Sequence, residues 1–363
     1  MTSARLGSLG ATALPIVAVL AFIGGLAPTL ALAGTTLGFD FLAYHQAAVR
    51  VLAGQPLYDM SYTETGGFGL FYYPPTFAPL VLVFGLLSAT TATYAWIGLL
   101  VAAFIVGVAI LPVSRSVRWW LVLLAGLSFP FVYAVKLGQV GPLLFLTFAI
   151  GWRWMDGPLR LGASAAVGAA IKLQPGLILV WALFTGRWRA VVVGAAVLAG
   201  LALAATLLAG VGAWSDFLTL LRTVSDPITT PHNFTPGAIA YQLGAPAGVA
   251  SAIQLVSTVA TVVMFLLAVR FCADEASYLV AVIVSQLVSP VLWDHYAMLL
   301  LLPVAYLLSA GRWWALAIPL VTAWPLVGVT PPLVYPVAFW VTLVAVVVVG
   351  RRVRLAGGTG APA

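Results

Sequence analysis

The sequence predicts an all-α, polytopic integral membrane protein of about 12 transmembrane helices, with an amphipathic interfacial helix in its first outer loop. Three observations predict it. Hydrophobic residues make up 63% of the chain and charged residues 7%, far from the roughly 45–50% and 25% of soluble domains. Apolar runs follow one another between residues 11 and 350 with only short polar or Pro/Gly breaks. The arginines sort to one side of those runs, as the excess of Lys and Arg in cytoplasmic loops requires.

The first run, 11–33, is near the roughly 20 residues that span a bilayer. It is longer than the h-region of a signal peptide, although "ALAG" at 31–34 resembles a cleavage site. A retained first helix is expected. Further runs fall near 76–112, 119–135, 138–154, 161–172, 175–186, 190–211, 247–269, 276–292, 297–310, 313–329 and 334–350. The second of these is long enough to cross more than once, and "PTFAPLVLVFGLLS" within it is short enough to be a half-helix.

Alternating the connections between two sides places Arg5, Arg115, Arg118, Arg153, Arg160, Arg187, Arg189, Arg270, Arg312, Arg351, Arg352 and Arg354 together, twelve of the sixteen cations. That side is expected to be cytoplasmic, with both termini. The other holds Asp40, Asp59, Glu64, Asp216, Asp226, Asp294, all three histidines and only Arg50, Lys136, Lys172 and Arg222 as cations. Chemistry is therefore expected on the outer face. Residues 1–355 read as one transmembrane domain with outer loops 34–75 and 212–246, and 356–363 as a disordered cytoplasmic tail.

The net charge of +7 reads as topology, and no nucleic-acid partner is expected. A single cysteine, Cys272, excludes an internal disulfide. No Cys/His cluster has metal-ligand spacing, so neither metal nor cofactor is expected.

In "GFDFLAYHQAAVRVLAGQPLYD", Phe41, Tyr44, Ala48 and Val51 recur at helical spacing, with Asp40, His45, Gln46 and Arg50 away from them. A helix of this kind lies in the headgroup plane with its apolar stripe in the acyl chains. Asp40 would then sit at the depth of a lipid's phosphate and first sugar, or serve as the helix N-cap with Phe39 and Tyr44 as staple. Asp59 and Glu64 read as solvated loop carboxylates. Tyr72 and Tyr73 of "YYPP" read as interfacial anchors or substrate-lining rings. "VKLGQVGP" and "AIKLQPG" set Lys136 with Gln139, and Lys172 with Gln174, at helix junctions on the outer side. Those lysines run against the positive-inside bias and suit a phosphate. "SPVLWDHY" groups Trp293, Asp294, His295 and Tyr296, and ionisable groups at membrane depth tend to mark function. His232 and Asn233 fall in the turn-rich "TTPHNFTPG".

These segments, with "FYYPPTFAPL", "KLGQVGPLL", "IKLQPGLIL" and "SPVLWDHYAMLLLLP", resemble in order and sidedness glycosyltransferase family 87, the polyprenyl-phosphate-mannose-dependent mannosyltransferases of the GT-C superfamily, over roughly residues 10–350. The resemblance implies a GT-C-like enzyme of the bacterial inner membrane. It would move a sugar, mannose, from a polyprenyl-phosphate-linked donor to a lipid or glycan acceptor, with inversion. It places the catalytic roles on Asp40, as base, and His295. Donor phosphate binding falls to Lys172, and the layout of outer-side cations adds Lys136 or Arg222. Tyr44, Tyr73, Gln139, Asn233, Trp293 and Tyr296 are expected to line the substrate site, and Asp294 receives no role. A transporter or flippase of lipid-linked precursors is the rival; it would place its charges near the bilayer midplane in repeated, broken helices.

Overall fold

The computed structural model describes residues 3–61, 69–223 and 226–351; Glu64, Arg352, Arg354 and the tail 356–363 lie outside them. The described residues form helices and no named strand. In chain order these are α1 (Ser3–Leu32), α2 (Phe39–Leu52), the one-turn α3 (Ala78–Val81), α4 (Ala89–Ile110), α5 (Arg115–Leu127) and α6 (Phe129–Leu137). Then come α7 (Gly141–Arg153), α8 (Pro158–Ile171), α9 (Leu177–Phe184), α10 (Trp188–Ala209), α11 (Gly212–Thr223) and α12 (Pro236–Gln242). The last are α13 (Ala247–Phe271), α14 (Asp274–Leu287), α15 (Leu301–Ser309), the short α16 (Ala317–Leu320) and α17 (Val334–Gly350).

Among the described residues, four helices are long and apolar enough to cross a bilayer: α1 from Ala13, α4, α10 and α13. A fifth span arises if α6 and α7, bent by 116° at their junction, count as one. Fewer spans thus reach full length than the apolar runs suggested, because Pro, Gly and capping residues cut the rest into shorter helices. The run 76–112 shows how. Ser88 breaks it by accepting the Thr91 N–H as N-cap of α4, so only α4 is of spanning length. The preceding Pro75–Leu86 stays a short 3₁₀–α–3₁₀ segment.

α14 is the centre of the bundle. Every side chain from Ala276 to Leu287 is buried, against α7, α9, α13, α15 and α17, the pattern of a helix surrounded on all sides. The Tyr278 hydroxyl donates to Phe148 O (2.8 Å), and Trp181 Nε1 donates to Ser277 Oγ (3.0 Å). α10 and α13 instead turn Leu203, Leu207, Leu255 and Val256 outward, an apolar surface suited to lipid.

α2 departs from the expected picture. Its stripe of Phe41, Tyr44, Ala48 and Val51 is buried in protein rather than facing acyl chains. Phe41 stacks on Trp96 (5.1 Å) and meets Phe84 edge-on (5.7 Å), and Tyr44 meets Phe77 (5.4 Å). The outward apolar residues are Phe39, Val49 and Leu52. Each buried aromatic contributes about 1.5–3 kcal/mol, so α2 is fixed as part of the bundle.

Candidate active site

Gly38, with φ 70°, is the N-cap of α2 and brings no side-chain cap; Asp40 lies inside the first turn rather than capping it. A carboxylate there still gains from the positive end of the helix dipole. α6 ends at Gly138, φ 73°, where the Gly138 N–H meets Val135 O and the Gln139 N–H meets Ala134 O, a Schellman closure. The two glycines hold the helices together: Gly38 N–H donates to Lys136 O (2.8 Å), and Trp96 Nε1 donates to Gly138 O (2.7 Å). A β-carbon on Gly138 would lie 2.6 Å from Phe41 Cβ, and one on Gly38 2.6 Å from Thr93 Cγ2. Only at this separation does the Gln139 side chain meet α2.

There Gln139 Nε2 donates to Asp40 Oδ2. Its Oε1 accepts from the Tyr73 hydroxyl (3.1 Å), so the Tyr44 hydroxyl, 2.6 Å from that of Tyr73, is the donor of that pair. Tyr58 anchors the same segment by donating to the backbone carbonyl of Tyr73 (2.7 Å). Burial pushes the Tyr73 hydroxyl up to about 12, keeping it a donor at neutral pH.

Lys172 stands where α8 stops: its backbone is extended and Pro175 follows. Its Nζ donates to the Tyr296 hydroxyl (2.7 Å) and lies 4.3 Å from that ring and 5.5 Å from the ring of Tyr73. Two further bonds bind the loops around it: Thr76 Oγ1 donates to Ala170 O (2.9 Å), and Gln174 Nε2 donates to Ser289 Oγ (2.7 Å).

His295 is the second residue of the 3₁₀ segment Asp294–Leu300. Asp294 Oδ1 accepts the His295 backbone N–H (2.6 Å) and stands 3.3 Å from its Nδ1. The Trp293 ring lies nearly parallel to the imidazole at 6.4 Å. Nε2 is buried and has no hydrogen-bond partner among the described residues. Burial raises the Asp40 pKa above the usual carboxylate value; His295, the Gln139 hydrogen bond and Lys172 hold it down, and Asp294 adds to the rise. These groups therefore share one electrostatic site.

The structure thus brings together Asp40, Tyr44, Tyr73, Gln139, Lys172, His295 and Tyr296, with Trp293 behind the imidazole. Lys136, over the Tyr133 ring at 5.6 Å, is within electrostatic reach of Asp40. Arg222 is exposed in the last turn of α11, and among the described residues no hydrogen bond or ion pair links it to the cluster. Asn233 is fully buried as a clamp. Its Nδ2 donates to Pro227 O and Pro290 O, and its Oδ1 accepts from Thr235 N and Leu292 N. Its whole carboxamide is spent on backbone, fixing the segment before Trp293. Asp59 is a loop carboxylate held below the usual range by Ser61, with Arg50 at 3.8 Å. His45 Nε2 meets Leu87 O (3.0 Å), and His232 is exposed in a turn with φ 57°.

Sequence reasoning missed the orienting role of Asp294 and the anchoring by Tyr58 and Trp96. Adjacency to His295 was the available signal for Asp294; nothing in the sequence marks the other two. Beside α2 opens a cavity of about 390 Å³, on the flank of Gln46, Arg50, Tyr58 and Phe71; Asp40, Lys172 and His295 are not part of its lining.

A family model, described as glycosyltransferase family 87, matches residues 71–290. The matched stretch includes Tyr73, Gln139, Lys172 and Asn233 and leaves Asp40 and His295 outside. No curated protein and no solved structure matches the chain.

Proposed function

Since the chain belongs to glycosyltransferase family 87 and is therefore a glycosyltransferase, we propose that it moves a sugar, mannose, from a polyprenyl-phosphate donor to a lipid or glycan acceptor at the outer face of a bacterial inner membrane. One observation carries the reading. Four segments far apart in the chain deliver a carboxylate, an ammonium, an imidazole and three phenols to the same helix ends.

The donor's polyprenyl tail lies among the helices, and its phosphate meets Lys172, with Lys136 nearby. Lys172 has three N–H donors and gives one to Tyr296, leaving two for phosphate oxygens. The acceptor oxygen attacks the anomeric carbon from the face opposite the phosphate as Asp40 takes its proton. The C–O bond to phosphate breaks with its electron pair on the phosphate oxygen, and polyprenyl phosphate leaves. Gln139 aims the carboxylate. Asp294 favours the proton on Nδ1 of His295, so the buried Nε2 accepts from an acceptor hydroxyl. Inversion follows from a single displacement, and the GT-C-like arrangement of about 12 helices belongs to this reading.

The test is incubation of membranes with radiolabelled polyprenyl-phosphate mannose and a lipid extract. Asp40→Asn should lose about 10²- to 10⁴-fold in transfer, the usual share of a general base, with the protein still in the membrane. Undiminished transfer by that variant removes Asp40 as the base.

A further inference from the structure

Three elements that start at the Asp40 cluster end together at the opposite side of the bundle. α4 starts beside Leu87, whose carbonyl meets His45, and ends at Ile110, about 33 Å away at 1.5 Å per residue. α7 leaves the Gln139 turn and ends at Arg153; the segment from Asp294 continues through α15 to Ser309. Around those far ends opens a cavity of about 540 Å³, whose lining includes Ser114, Ser116, Arg118, Arg153, Ser309 and Trp313.

The chemistry of this cavity is one-sided. It presents two guanidinium groups and the hydroxyls of Ser114 and Ser116, the Ser309 hydroxyl donating instead to Ala305 O (2.9 Å), and among the described residues no carboxylate lines it. Two acids of the same end of the bundle, Asp156 and Asp274, are taken by Arg187 at 3.0 and 2.8 Å. Arg118 is set in place by its Nη2, which donates to Leu111 O (2.8 Å) past the end of α4, while its buried Nε has no hydrogen-bond partner among the described residues. The first turn of α5 adds the positive end of its dipole on the same side. Guanidinium groups with hydroxyls and a helix start form a site for phosphate oxygens.

The surroundings say where the phosphate comes from. Trp313 and Trp314 are each 50% exposed beside the cavity, and Trp120 meets Trp313 edge-on at 6.1 Å. Half-exposed tryptophans at the ends of apolar helices sit at headgroup depth, and basic pockets between helices at that depth take anionic headgroups. We propose that this cavity binds the phosphate of an anionic membrane lipid, in the leaflet opposite the Asp40 cluster.

The test uses the purified full-length protein in neutral detergent, titrated calorimetrically with short-chain phosphatidylglycerol, short-chain phosphatidylcholine or sodium phosphate. Phosphatidylglycerol should bind about tenfold more tightly than phosphatidylcholine, whose phosphate bears the same charge but whose choline cation the two guanidinium groups repel. Arg153→Glu should weaken phosphatidylglycerol by about tenfold or more and remove its advantage over phosphatidylcholine. Arg118 is left intact because it also holds the end of α4. Ser116→Glu, exposed in the first turn of α5 where an acid suits the helix, gives a second variant with the same expected loss. Equal binding of the two lipids, or unchanged phosphatidylglycerol binding in both variants, overturns the site. Sodium phosphate binding as tightly as phosphatidylglycerol overturns the lipid as its source.

Discussion

Gly138→Ala should separate Asp40 from Gln139 without touching either. A residue with a β-carbon at φ 73° loses about 1–2 kcal/mol in the left-handed region. The new Cβ would stand 2.6 Å from Phe41 Cβ, and neither atom can rotate away, since each is fixed to its backbone. Relief requires α2 to retreat by about 1 Å, and overpacking of that kind costs about 1–3 kcal/mol. The variant should therefore unfold about 2–5 kcal/mol more easily. Asp40 neighbours Phe41 and moves with it, and a misplacement of about 1 Å lowers a rate by about 10²-fold. Thermal unfolding in detergent reads the first quantity; labelled-sugar transfer per folded molecule reads the second. Gly138→Asn separates the causes, because Asn tolerates the left-handed region yet carries the same Cβ. It should regain part of the stability and none of the activity. Transfer by Gly138→Asn at the wild-type rate would refute the claim that this contact sets Asp40.

Gln139→Leu removes the hydrogen bond that holds down the Asp40 pKa. The acid limb of the transfer rate, already above that of an ordinary carboxylate because of burial, should move to still higher pH; a pH profile with an unmoved limb counts against the contact. Lys172→Met should lower turnover by about 10²- to 10³-fold, as loss of one preorganised donor to developing charge does; a variant that changes only acceptor KM would show that Lys172 does not face the leaving phosphate. Asn233→Ala strands two buried N–H groups and two partly buried carbonyls and should cost roughly 3 kcal/mol, read as a lower unfolding temperature; an unchanged temperature would show that the 227–235 and 290–292 segments are held otherwise.

Helical class was legible because composition alone forces the backbone to satisfy its own hydrogen bonds in lipid. Spans were harder to count. An apolar run looks the same whether it crosses, stops halfway or packs on protein, and only caps such as Ser88 or turns such as Gly138–Val140 decide. The same ambiguity misplaced the stripe of α2, since Phe41 and Tyr44 are as suited to Trp96 and Phe77 as to acyl chains. The site itself was more visible. Lys172, Gln139 and His295 stood out as polar residues at helix breaks in a chain that has few, and the breaks are what let them converge. Asn233 and Arg222 share that polarity. Nothing in a one-dimensional pattern tells an amide that grips backbone from one that faces a ligand.

The base role proposed for Asp40 carries a cost to the fold that packing alone would not require. Its folded pKa is raised, so the native form binds a proton more readily than the unfolded chain does. Stability therefore falls as pH rises from the unfolded value through the raised one, and the penalty is complete once the pH lies above the raised value. A side chain kept only for structure would be better as Asn, which can still accept from Gln139 and carries no charge to desolvate. Asp40→Asn should accordingly melt no lower, and preferably higher, than wild type at pH 7 while losing transfer. A base must be ionised and poorly solvated to draw a proton, and these conditions make it costly to the fold.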